Sequence, residues 1–151
     1  MRLSPIFINV PSCSAVRATD EAARSSVLRK KILIVEDNEL SMKLVNDLLE
    51  FHGHQIFQAT LGADALRMAR ELHPDLILLN LRLPDMSGLD VARALKADAA
   101  TRTVPVVAVT AFAMRGDEQK ARAAGCDGYV TKPIRIQAFL HTVETFLASS
   151  G

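Results

Sequence analysis

The sequence predicts an α/β fold in which five parallel strands form one sheet covered by helices on both faces. Three observations carry that reading. Short apolar runs recur from residue 31 onward, and Lys31–Val35, Leu76–Leu79 and Pro105–Val109 have the apolar content of strands buried on both sides. Between the runs lie segments with apolar residues at helical spacing. Regular alternation of the two builds a parallel sheet through right-handed crossovers, which place helices on both faces and leave the strand order open.

The elements follow in order. Lys31–Val35 is a buried strand that ends in charges. Leu44, Val45, Leu48 and Leu49 share a helical face, and Gly53 closes that helix. Gln55–Ala59 is poorer in apolar residues and reads as a strand at the sheet edge. Ala63–Leu72 is the second helix, with Leu66, Ala69 and Arg70 in phase and Pro74 as its stop. After the strand Leu76–Leu79, Ser87 is an N-cap for a helix to Lys96 that buries Val91, Ala92 and Leu95. Pro105 opens the fourth strand, a position where proline is tolerated. A short helix over Asp117–Ala124 ends at Gly125, and Gly128–Val130 is the fifth strand. In the last helix Ile136, Phe139, Leu140, Val143, Phe146 and Leu147 form one apolar stripe.

At 151 residues, 49% of them hydrophobic, the chain fits one ordinary domain with a packed core. There is no tryptophan, so packing rests on aliphatic side chains. The net charge of +1 is uneven: residues 1–30 carry five basic and two acidic side chains, and the remainder thirteen basic and fifteen acidic. The body is therefore mildly acidic, which argues against nucleic-acid binding. No apolar run is long enough for a membrane span. Cys13 and Cys126 have no metal-like or redox spacing and read as reduced thiols. Residues 1–30 lack sustained periodicity and contain Pro5 and Pro11, which predicts a flexible extension before a domain over 31–148 and a tail over 149–151. Other readings of that extension are an organelle presequence, weakened by Asp20 and Glu21, and a true start near Val27.

Polar residues collect at the strand ends, the usual place for chemistry in open α/β sheets. The first strand runs into Glu36 and Asp37, the third into Asn80, the fourth into Thr110, and the fifth into Thr131, Lys132 and Pro133. Any one of these commonly just solvates a loop. Together they put two carboxylates, an amide, hydroxyls and an ammonium on one edge. Clustered carboxylates suit Mg²⁺, while a lysine and a threonine hydroxyl suit a phosphoryl group. The missing part is a nucleophile. The nitrogen of Asn80 is delocalised into its carbonyl, so this residue cannot form the acyl phosphate open to an aspartate.

The stretches KKILIVEDNEL, PDLILLNLRLPDMSGLDV, VPVVAVTAFAM and GCDGYVTKPI resemble a response-regulator receiver domain over about residues 31–147, most of all the alphaproteobacterial cell-division and polarity regulators. The resemblance implies the flavodoxin-like (βα)5 fold and non-enzymatic signalling in the cytoplasm. It implies that Glu36 and Asp37 order Mg²⁺ together with the backbone carbonyl of Arg82. It implies further that Thr110 is the switch hydroxyl, Lys132 the phosphoryl-pairing lysine and Tyr129 the switch aromatic, and that the bond before Pro133 is often cis.

The departure is Asn80, where such domains carry the phosphoacceptor aspartate. Losing that charge is expected to weaken or abolish Mg²⁺ binding and to relieve carboxylate repulsion. Asn80 is read as satisfying loop backbone groups, as disabling an otherwise working receiver, as marking a natural pseudo-receiver, or as leaving a pocket that binds cation or phosphate non-covalently. Asp85, the nearest spare carboxylate, is expected to lie beyond the pocket. With no output domain expected after residue 151, the expected partners are sensor histidine kinases, phosphotransfer proteins or other response regulators. Phe112, Met114, Tyr129 and the outer side of the last helix are the candidate contact surface. The alternative function is a phosphorylation-independent binding module.

Overall fold

Five strands lie side by side in one parallel sheet: β1 (Lys31–Val35), β2 (Gln55–Ala59), β3 (Leu76–Asn80), β4 (Val106–Thr110) and β5 (Gly128–Thr131). The order is β2-β1-β3-β4-β5, which settles what the sequence left open and places the polar Gln55–Ala59 strand at an edge as expected. The computed structural model describes residues 30–111 and 116–150. Cys13, Phe112, Met114 and the extension before residue 30 lie outside the described residues.

Side-chain alternation along the strands splits the core in two. Leu33, Val35, Ile77, Leu79, Val106 and Ala108 face one side, where they meet α2 (Gly62–Leu72), α3 (Gly88–Ala97) and α4 (Asp117–Ala123). Ile32, Ile34, Leu76, Leu78, Val107 and Val109 face the other, covered by α1 (Glu39–Phe51) and α5 (Ile136–Ser150). The central strands are therefore apolar along their lengths apart from Lys31 at the start of β1 and Asn80 and Thr110 at the carboxyl ends of β3 and β4, and β3 and β4 are buried throughout.

Local chemistry sets the helix ends. Asn38 caps α1 by accepting from Ser41 N–H at 2.9 Å, and Ser87 caps α3 by accepting from Leu89 N–H at 3.1 Å. Helix α2 stops at His73, which adopts a left-handed conformation (φ 49°) one residue before Pro74. Two expectations need correction. Arg70 is on the exposed side of α2, where its guanidinium meets Asp98 at 2.5 Å. Ile136 is 49% exposed at the first turn of α5, while Phe139, Val143 and Leu147 carry the buried stripe. Ile136 shares the helical phase of Phe139 and Val143, so periodicity alone assigned it to the buried side.

Candidate functional site

The sheet order reverses between β1 and β3, and a crevice opens there at the carboxyl ends of the strands. Its walls are Glu36, Asp37, Asn38, Glu39, Leu40, Asn80, Arg82, Ala111 and Lys132, around a cavity of about 540 Å³. Four residues singled out from the sequence thus converge with Arg82: two from the end of β1, one from the end of β3 and Lys132 from the loop after β5. Thr110 is buried at the end of β4 and accepts the Lys132 backbone N–H through its carbonyl at 2.8 Å. It is not part of the cavity wall; its neighbour Ala111 is. Tyr129 also stays outside. It packs against the α2–α3–α4 core, and its hydroxyl is buried with no hydrogen-bond partner among the described residues. Burial first, and then the negative charges of Asp117 and Glu118, raise its phenol pKa.

The polar contacts form one network. The Asn80 amide nitrogen donates to Glu36 Oε2 at 2.7 Å and to Asp37 Oδ1 at 3.3 Å. Lys132 Nζ donates to Glu36 Oε1 at 2.5 Å and to Ser41 Oγ at 3.3 Å. The Asn38 backbone N–H donates to Glu36 Oε2 at 3.1 Å. Glu36 is 5% exposed, and a carboxylate that deep requires such donors on both oxygens.

The orientation of the Asn80 amide is set by the backbone. Its oxygen accepts the Arg82 N–H at 3.1 Å, so the nitrogen must face the carboxylates. That N–H is aimed by a tight loop: Arg82 bridges Ser87, and Gly88 N–H donates to Leu81 carbonyl at 2.9 Å. Gly88 makes the loop possible, since a Cβ there would stand 2.4 Å from the Asn80 carbonyl oxygen and 2.6 Å from Leu81 Cα. Asp85, in the same loop, is engaged elsewhere. Its two carboxylate oxygens accept Gly62 N–H at 2.8 Å and Ala63 N–H at 3.0 Å, capping α2, whose own N-cap Leu61 has no side-chain acceptor. The backbone donors of Ala63 and Gly62 lower its pKa. The bond between Lys132 and Pro133 is cis.

As arranged, the donor set does not fit a hard divalent cation. Such an ion takes oxygen ligands only, yet the shared approach to Glu36 and Asp37 is taken by N–H groups of Asn80. Among the described residues, no group of three or more His, Cys, Asp or Glu side chains is placed to hold a metal.

A second feature was not legible as a site in the sequence. On the outer side of α1, Leu40 and Phe51 are 81% and 86% exposed, and Leu44 is partly exposed. With Lys43, Asp47 and Leu48 they line a shallow groove that meets the acidic crevice at Leu40. The clue was present as apolar residues at 40, 44, 48 and 51, one face at helical spacing, but it overlapped the buried face of Val45 and Leu49.

The chain matches the model of the response regulator receiver domain over residues 32–144. It is similar to the polar-differentiation response regulator DivK of Brucella ovis, 48% identical over 123 residues that cover 82% of this chain and all of that one. Among solved structures it is similar to the receiver domain of the sensor histidine kinase PA1611 of Pseudomonas aeruginosa, which holds a magnesium ion in its active-site cleft (TM-score 0.75, 29% identity, covering 80% of this chain and 98% of that one). It is likewise similar to the receiver domain of a signal transduction histidine kinase from Syntrophus aciditrophicus (TM-score 0.74, 30% identity, 80% and 91%). Sheet order, a polar crevice at the switch point and these matches agree: the chain belongs to the response regulator receiver domain family.

Proposed function

We propose that this chain is a single-domain response regulator of the cell-division and polarity type, working in the cytoplasm through protein contact, with aspartyl phosphorylation blocked at Asn80. One observation carries the reading. The residue at the end of β3 sits inside an assembled crevice with Glu36, Asp37 and Lys132, yet offers an amide where a nucleophilic carboxylate belongs. In the role the family gives them, Lys132 would hold a phosphoryl oxygen, Thr110 would follow it and Tyr129 would report the change. Glu36, Asp37 and the Arg82 carbonyl would be the Mg²⁺ side of the site, with that binding weakened or lost.

The exposed α1 face supports action by contact. Contiguous apolar surface beside a functional crevice marks an interaction site. Its occupant on this reading is a helix of a sensor histidine kinase, phosphotransfer protein or another regulator, laid along the groove by the same apolar spacing. The second reading, a binding module indifferent to phosphorylation, is favoured by the self-satisfied Asn80 network.

Binding to a sensor histidine kinase from the same genome separates the two. The affinity of the native chain should not respond to Mg²⁺ and an acyl-phosphate mimic, whereas that of Asn80→Asp should. Equal, unresponsive affinities for both chains would favour the second reading. No binding by either would overturn both.

A further inference from the structure

We infer that the Asn80 side-chain amide occupies the cation position of the crevice and makes its hydrogen-bonded arrangement independent of Mg²⁺. The inference rests on the receiver reading only in taking the crevice between Glu36 and Asp37 as the place where a cation would bind.

A divalent ion in an acidic crevice screens carboxylates from one another and is held by their oxygens. Here the nitrogen of one uncharged amide donates to both carboxylates, at 2.7 Å to Glu36 and 3.3 Å to Asp37. Lys132 supplies the positive charge, at 2.5 Å from the other oxygen of Glu36. The cluster Glu36, Asp37, Lys132 and Asn80 therefore carries a formal charge of −1, where an aspartate at 80 would make it −2.

Entry of a cation would require the amide to leave or to turn over. Turning it brings the nitrogen against the Arg82 N–H, donor against donor, in a loop that Gly88 packs onto the Asn80 backbone. Either route sacrifices hydrogen bonds to charged groups. That loss, added to the missing charge, predicts an apparent Mg²⁺ affinity at least about tenfold weaker than that of Asn80→Asp.

The amide and the lost charge are distinguished by Asn80→Ala, which removes the amide without restoring the charge. Urea unfolding is followed for the native chain, Asn80→Asp and Asn80→Ala, each in EDTA and in millimolar MgCl₂. The native midpoint should be the same in both, that of Asn80→Asp should rise with MgCl₂, and that of Asn80→Ala should fall below native in EDTA and recover with MgCl₂. A saturable Mg²⁺ response of the native chain matching that of Asn80→Asp would overturn the inference. So would an Asn80→Ala as stable and as indifferent to Mg²⁺ as native. Should Asn80→Ala fail to fold, NMR of the native chain decides. The Asn80 amide protons should exchange slowly and hold their shifts through a MgCl₂ titration; a saturable movement would overturn the inference. None of these readouts involves a partner or phosphate, so the signalling proposal stands or falls separately.

Discussion

Asn80 and Glu36 are joined by a 2.7 Å hydrogen bond from amide to buried carboxylate, across 44 positions of sequence and between two adjacent strands. The bond ties the end of β3 to the end of β1 at the point where the sheet order reverses. Around it, the donors from Lys132 and Asn38 complete the coordination of a carboxylate that could not otherwise remain there.

Lys132→Met should therefore be strongly destabilising. It strips the ammonium from Glu36, leaving a buried carboxylate short of its charge partner, at a cost of about 3 kcal/mol. Lys132→Met combined with Glu36→Gln should recover much of that loss. Urea unfolding of the four chains of this cycle gives the coupling, and an additive result would remove the pair from the account.

Asp85 should act through pH. Its pKa is lowered in the folded chain by the backbone donors of Ala63 and Gly62, so its contribution is present above the unfolded carboxyl pKa and is lost as pH falls through the folded value. Asp85→Asn should lower the melting temperature by about 3 °C at neutral pH and flatten the acid limb of the stability curve. Melting curves from neutral pH down into the acid range check both parts, since Asp85 titrates below the ordinary carboxylate range.

Two phenylalanines should behave oppositely. Phe51 is 86% exposed at the end of α1, and Phe51→Ala should change stability by no more than about 0.5 kcal/mol while weakening kinase binding. Phe139 is 1% exposed in α5, and Phe139→Ala should cost about 4 kcal/mol. Denaturation midpoints alongside a binding assay separate the surface role from the core role.

Cys126 is buried, and burial pushes its thiol pKa up to about 11. The thiol should resist alkylation at about pH 8 in the folded chain and react once urea unfolds it. Its raised pKa also means that stability from this group is intact below the unfolded thiol pKa and is lost as pH rises toward 11. Mass spectrometry after brief iodoacetamide treatment of a Cys13→Ser variant reads the reactivity.

The strand and helix pattern was legible because the central strands are buried on both faces and leave no polar interruption. Convergence of Glu36, Asp37, Asn80 and Lys132 was legible for a related reason: in a parallel sheet all strand ends of one polarity share an edge. Other features depend on three-dimensional approach. That Gly88 abuts the Asn80 carbonyl, and that Asp85 caps a helix 23 positions earlier, leave no local signature. The Arg82 N–H that orients the Asn80 amide is a backbone group, invisible to any reading of side-chain types. On α1, Leu40 and Phe51 were obscured because an apolar residue at helical spacing has the same look whether it faces a sheet or solvent.

That the amide of Asn80 deprives the crevice of the nucleophile a receiver needs is the central claim. It is tested most directly by incubating the native chain and Asn80→Asp with a small acyl phosphate and Mg²⁺, then measuring intact mass. The account predicts one added phosphoryl group on Asn80→Asp, labile to hydroxylamine, and none on the native chain. Phosphorylation of the native chain, or failure of Asn80→Asp to accept phosphate while folded, would contradict it.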